Sequence, residues 1–141
     1  MKKIILAILL VAMILSLGIV FASDAETEVF INGEKLECDV APIIENGRTL
    51  VPMRAIFEAL GANVYWDDET KTVTAVAGGT VVILQIGNEL AFVNSDSHTL
   101  DVPAQIVNDR TLVPARFASE ALGAAVEWDE TNRCVNVTTA N

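Results

Sequence analysis

Two stretches of the chain match each other without a gap at a constant offset of 62 residues. They run from Ile44 to Val73 and from Ile106 to Val135. Arg48-Thr49-Leu50-Val51-Pro52 returns as Arg110-Thr111-Leu112-Val113-Pro114, and Arg54 returns as Arg116. Glu58-Ala59-Leu60-Gly61-Ala62 returns as Glu120-Ala121-Leu122-Gly123-Ala124, and Trp66-Asp67 as Trp128-Asp129. Phe30 and Asn32 match Phe92 and Asn94 at the same offset, so the unit begins upstream of the longest identities. A repeat of this kind constrains the fold more than any single residue does. Repeated units of this kind bury their faces against each other.

Each unit has a readable grammar. An apolar run, Thr49-Leu50-Val51, ends at Pro52, a residue that suits the first helical turn because its missing N–H is not needed there. A short helix is expected from about Met53 to Leu60, with Ile56, Phe57 and Leu60 on one face. Gly61 is placed to stop it in a left-handed conformation. Val64-Tyr65-Trp66 then alternates as a strand, Asp67 to Lys71 turns, and Thr72 to Ala75 returns. Upstream, Val29-Phe30-Ile31 turns at Asn32-Gly33 into Leu36 to Val40, and Asn-Gly is a strong type I′ hairpin signal. Val81 to Ile86 turns at Gly87-Asn88 into Leu90 to Val93. The expected fold class is α+β: two tandem ββαββ repeats of short antiparallel strands, one helix each, preceded by a hydrophobic signal helix. The first repeat spans about 28–78 and the second about 90–139, with Gly78-Gly79 as the seam.

The chain has 141 residues and is both apolar and acidic, with 52% hydrophobic residues, nine Lys+Arg and nineteen Asp+Glu. The two properties belong to different segments. Met1-Lys2-Lys3 is a basic start, and Ile4 to Ala22 is almost unbroken apolar. That pattern reads as a secretory signal peptide over residues 1–22, followed by a linker over 23–27. Cleavage fits after Ala22 and, second, after Ala25. An uncleaved membrane anchor is the alternative, because the apolar run falls within the spanning range of roughly 17–25 residues. In either case the remainder is expected outside the cytoplasm, secreted or associated with the cell envelope. Without Lys2 and Lys3 the exported part keeps seven cations against nineteen acids, a formal charge of −12. No basic footprint for nucleic acid exists, and the apolar content excludes disorder.

The repeated elements R-T-L-V-P-x-R, E-A-L-G-A and W-D together resemble the copper amine oxidase N-terminal domain family, over essentially all of residues 28–139. The resemblance implies a stalk-like accessory module, remote from copper and common in exported proteins of Gram-positive bacteria. It does not imply oxidase chemistry. A copper–quinone centre needs three His ligands and a modified Tyr, whereas this chain has one His, His98, and one Tyr, Tyr65. No cofactor and no metal are expected.

Each polar feature of the repeat admits a functional and a structural reading. Arg48, Arg110, Arg54 and Arg116 could grip carboxylate or phosphate groups. Structurally, Arg54 and Arg116 stand four residues before Glu58 and Glu120 on one helix face. For Arg48 and Arg110, Glu45, Asp67, Asp109 and Asp129 are the nearby acids. Trp66 and Trp128 could stack on sugars, but their phase with Val64 and Val126 favours the core. The acidic turns at Asp67 and Asp129 lack the alternating ligands of a calcium loop and read as solvated tips. Cys38 and Cys134 fall at non-equivalent places and form either a disulfide or two independent thiols. His98 reads as a solvent-exposed loop residue.

No catalytic grouping is legible, so the chain is not expected to be an enzyme. The leading expectation is an exported, non-catalytic module that contacts an extracellular protein or a neutral wall polysaccharide. No nucleic acid is expected, and a membrane only through an uncleaved leader. A hydrolase using an unrecognised carboxylate pair and a passive spacer or oligomerising module are the alternatives.

Overall fold

The computed structural model describes residues 27–140. The expected signal peptide, its cleavage points and all but the last residue of the linker lie outside the described residues. In chain order the elements are β1 (Glu28–Ile31), β2 (Glu34–Lys35), β3 (Ile43–Glu45), β4 (Arg48–Pro52), α1 (Met53–Ala59), β5 (Asn63–Asp67), β6 (Thr72–Ala77), β7 (Thr80–Gln85), β8 (Leu90–Val93) and β9 (Asp96–Thr99). They continue with β10 (Gln105–Val107), β11 (Arg110–Pro114), α2 (Ala115–Ala121), β12 (Ala125–Asp129) and β13 (Cys134–Thr138).

Local chemistry explains the breaks. Pro52 and Pro114 each close a strand and stand at the N-cap of the helix that follows, in extended backbone. Neither is inside the helix, so Pro ends the strand rather than occupying the first helical turn. The helices stop in complete Schellman motifs. The Gly61 N–H donates to the Glu58 carbonyl at 3.0 Å and the Ala62 N–H to the Phe57 carbonyl at 2.9 Å. Gly61 has φ +88°, which only a residue without Cβ adopts freely. Gly123 and Ala124 repeat the arrangement onto Glu120 and Ser119.

The hairpins at Asn32-Gly33 and Asn46-Gly47 carry two consecutive positive φ values, the type I′ signature. The second of these joins β3 to β4, two strands where the expected unit has one, and β10 meets β11 in the same way across Asn108-Asp109, where both φ values are again positive. The strand after Asn32-Gly33 covers only Glu34–Lys35, short of the expected Leu36 to Val40. A further strand, β9, holds His98, which is exposed as expected but stands in a strand and not in a loop.

The expected fold class is overturned. Thirteen strands in three sheets and two seven-residue helices make the described chain mostly β. Neither unit folds on itself. The hairpin β1–β2 pairs through β1 with β13 of the other unit, in parallel, giving the order β12-β13-β1-β2. The strands β5 and β6 continue into β7, β8 and β9. Between these sheets β3–β4 joins β10–β11 through an antiparallel β4·β11 pair. That register is symmetric about Val51↔Val113, with Pro52 opposite Leu112 and Leu50 opposite Pro114. Matched positions therefore face each other across a pseudo-twofold axis. The physical reason is that two-stranded hairpins are marginal alone, and three or more strands with a covered face are needed for stability. Exchange between units supplies the missing strands.

The joining sheet is covered on both faces. Val51 and Val113 enter the main core with Ile56, Phe57, Val73, Val82, Leu84, Val135 and Val137. Leu50 and Leu112 enter a second cluster with Val102. The helices divide the labour unequally. The buried face of α1 is Met53, Ile56 and Phe57, whereas that of α2 is Ala115, Ala118 and Ser119. A large face and a small face thus pack where two large ones would overfill the space. Ser119 is fully buried, and its Oγ finds no hydrogen-bond partner among the described residues. Such a group carries a desolvation penalty. Ser119→Ala is therefore expected to raise stability by about 1 kcal/mol, read as an upward shift of the denaturant midpoint at unchanged slope.

Candidate functional site

The pseudo-twofold axis generates two matched clefts. One is lined by Pro52, Met53, Arg54, Trp66, Lys71 and, from the other unit, Ile106, Asp109, Arg110 and Thr111; its volume is about 740 Å³. The other is lined by Gly47, Arg48, Thr49, Pro114, Ala115, Arg116, Val126, Trp128 and Val135, with about 130 Å³. Each cleft joins the helix start and tryptophan of one unit to the hairpin of the other. The sequence motif is thus divided between two places, and each cleft needs both copies.

The arginines take partners that spacing did not indicate. Arg110 Nε donates to Asp39 Oδ2 at 2.8 Å, and Arg48 pairs with Asp101. Neither uses Glu45, Asp67, Asp109 or Asp129 as a side-chain partner. Asp39 and Asp101 are themselves 62 residues apart, in the repeated dipeptides Asp39-Val40 and Asp101-Val102. That repetition was the signal that could have located them. Each ion pair crosses from one unit to the other, so it fastens the exchange described above. Arg54 and Arg116 do bond within their helices, to Glu58 at 3.0 Å and Glu120 at 3.2 Å. All four pairs are solvent-exposed, where such bridges contribute little stability each.

The guanidinium of Arg110, bonded to Asp39, holds that carboxyl below its ordinary range. A depressed native pKa contributes stability that is fully present above the unfolded carboxyl pKa, about 3.9. It is lost as pH falls through the lower native value. Melting temperatures between pH 5 and pH 2 should therefore fall more steeply for the natural protein than for Asp39→Asn. Parallel curves would show that the bridge does not couple to folding.

Neither tryptophan is sealed in the core. Trp66 is half-buried against it and Trp128 is 37% exposed. Their indole N–H groups are tied at the cleft mouths. Trp66 Nε1 donates to Asp68 at 3.4 Å, and Trp128 Nε1 donates to Glu130 at 3.0 Å. The turn that follows Trp66 is held by Lys71, bonded to Asp68 at 2.9 Å, whereas Arg133 lies 5.8 Å from the centre of the Trp128 ring. The guanidinium over the second indole is a cation–π contact. The expected core position holds in part for Trp66, which packs against the core, and not for Trp128, because a strand alternates between faces without fixing how much covers the inward one.

The acidic turns are capped from within. Asp67 Oδ1 accepts the N–H of Glu69 at 2.9 Å and of Thr70 at 3.2 Å, and Asp129 Oδ1 accepts that of Asn132 at 3.1 Å. The backbone and side chain of Asn132 hold the Asp129 carboxyl below its ordinary range. Among the described residues no three His, Cys, Asp or Glu side chains gather to hold a metal ion. His98 and Tyr65 stand on opposite faces of one sheet. His98 lies beside Ala91 and edge-on to the Phe117 ring, and Tyr65 points outward. The donor set thus does not fit a copper–quinone centre. Cys38 and Cys134 are free thiols, not a disulfide. Cys38 Sγ donates to the Leu36 carbonyl, the Asn136 amide donates to Cys134 Sγ, and burial pushes both thiols up.

A family model described as copper amine oxidase N-terminal domain matches residues 30–137. A relative from Brevibacillus choshinensis named protease inhibitor is 32% identical over 103 residues, covering 72% of this chain. The chain spans 31% of that relative's length.

Proposed function

Because the chain belongs to the copper amine oxidase N-terminal domain family, a non-catalytic module, we propose that it acts outside the cytoplasm as a binding module without amine oxidase activity. The observation that carries this reading is the fate of the repeated ionic residues. Arg48, Arg54, Arg110 and Arg116 each close an ion pair within the fold, and Asp67 and Asp129 cap turns. What remains accessible is surface: two tryptophan-walled clefts and the outer faces of the sheets. The leader over residues 1–22 supplies the export route and is removed. The exported charge of −12 disfavours anionic membranes and teichoic-type polymers. A neutral sugar polymer or a protein is the partner that remains.

The test is retention of the exported protein on purified cell wall and on an array of the proteins secreted with it, with peroxide release from amines measured in parallel. Retention without turnover is the expected result. Amine-dependent peroxide, or retention on neither material, would sink the reading. The relative's name motivates one further arm. Inhibition of a secreted bacterial protease by this chain would place its partner among proteases.

A further inference from the structure

The outer faces of the two flanking sheets are matched in register but opposite in character. Across the four-stranded sheet, Glu127, Asn136, Phe30 and Lys35 stand side by side. The same positions, 62 residues away, are Tyr65, Thr74, Phe92 and Ser97 in the five-stranded sheet, with Ile83 of β7 inserted between Thr74 and Phe92. Where one face carries Glu127 and Lys35, the other carries Tyr65 and Ser97. Tyr65 is 59% and Phe92 36% exposed. Val76, Val81 and Leu90 extend the apolar part of the same face. Among the described residues its outward strand positions hold one ionised side chain, Asp67, whose Oδ1 is engaged by two backbone N–H groups. In an exported chain with nineteen Asp and Glu residues this face holds a single ionised strand position beside two exposed aromatic rings, and the largest apolar patch on a monomer is often functional.

Charge and area together select the occupant. A basic protein finds no row of carboxylates here, and an anionic polymer meets the field of a −12 chain. Strand spacing and rise give the face a planar area of about 350 Å². A stable protein interface needs about 800 Å² per partner. Tyr65 and Phe92 are three inter-strand steps apart, about 14 Å, with hydroxyls of Thr74 and Ser97 in the same row. Aromatic rings supply apolar platforms at small entropic cost, and hydroxyls supply donors and acceptors between them.

We propose that the outer face of the five-stranded sheet binds an uncharged, extended polysaccharide, laid across the strands with sugar rings on Tyr65 and Phe92. This rests on the extracellular binding reading above and gives it a surface and a ligand class. The experiment is depletion binding of the full exported chain to insoluble chitin and cellulose, with polygalacturonate as an anionic control. Binding to at least one neutral polymer and not to polygalacturonate is expected. Loss of one aromatic platform, in Tyr65→Ala or Phe92→Ala, should weaken retention about fivefold, and loss of both at least tenfold. Glu127→Ala, at the matched position of the other sheet, should leave retention unchanged. Tyr65 is the more exposed of the two, so Phe92→Ala is expected to lower the melting temperature more than Tyr65→Ala, and a cooperative melt of each variant serves as the folding check.

Undiminished retention of the folded double variant would overturn the proposal, as would binding to neither neutral polymer. A concentration-dependent dimer in sedimentation that the double variant abolishes would also overturn it, assigning the face to a second copy. Retention on wall or secreted protein that survives the double variant would sink this surface and leave the broader binding reading standing. Absence of retention on every material sinks both.

Discussion

Residues 27–78, expressed without the rest of the chain, should give no cooperative thermal transition, and co-expression with 79–140 should restore one. The cut falls at Gly78-Gly79, the boundary that the repeat itself marks. In the isolated half β1–β2 has lost β13, β4 has lost β11, and β6 has lost β7. What remains is three isolated hairpins and a seven-residue helix. Hairpins of two strands are marginal in water, and helices shorter than about 12–15 residues do not hold alone. Leu50, Val51, Ile56 and Phe57, all fully buried in the whole protein, would face solvent. Self-pairing of the half through β4 does not rescue it. Two copies of the large-faced α1 would have to occupy the space of one large and one small helix. Circular dichroism melts and amide exchange measure this directly. A sharp, protected transition in the isolated half would mean that each unit folds on itself after all.

Phe57→Ala should be the most damaging single truncation in the helices, at about 3–5 kcal/mol. Phe57 is fully buried and is among the largest such side chains in the molecule. Its matched position holds Ser119, so the small-faced helix has no bulk with which to refill the cavity. Against a total stability of about 5–15 kcal/mol, that loss lowers the melting temperature by about 15 °C or more. The comparison that isolates the mechanism is Phe117→Ala. Phe117 packs against the core but is only half-buried, and its truncation should be clearly milder. Equal losses at the two positions would show that α1 does not carry the large face.

Some of this was legible without coordinates. The Gly61 and Gly123 stops, the strand–helix break at Pro52 and Pro114, and the pairs Arg54–Glu58 and Arg116–Glu120 follow from contacts within a few residues. So does the hairpin at Asn32-Gly33. The hairpin at Asn46-Gly47 carries the same signal, but its strand β3 is only three residues long, too short for alternation to mark it. The partners of Arg48 and Arg110 were a different case. Sequence proximity offered Glu45 and Asp109, but the pairs run 53 and 71 residues to Asp101 and Asp39. The exposure of Trp128, and the incomplete burial of Trp66, were equally hidden. Alternation assigns a side chain to a face, and only the layer above that face decides whether it is sealed.

The sequence by itself determined the repeat, the turns, the helix ends, the segregation of the apolar N-terminal run from the acidic remainder, and family membership. These are local or compositional properties, set by φ preferences, side-chain spacing and charge. Which strand pairs with which was decided only in three dimensions. A repeat of identical grammar is compatible with two self-contained units or with two units that exchange strands, because every local preference is the same in both. The choice rests on which arrangement covers both faces of β4 and β11 and gives the β1–β2 and β5–β6 hairpins enough neighbours. That is a property of the whole core, and it is why the clefts, the crossed ion pairs and the contrast between the two outer faces came into view only with the tertiary structure.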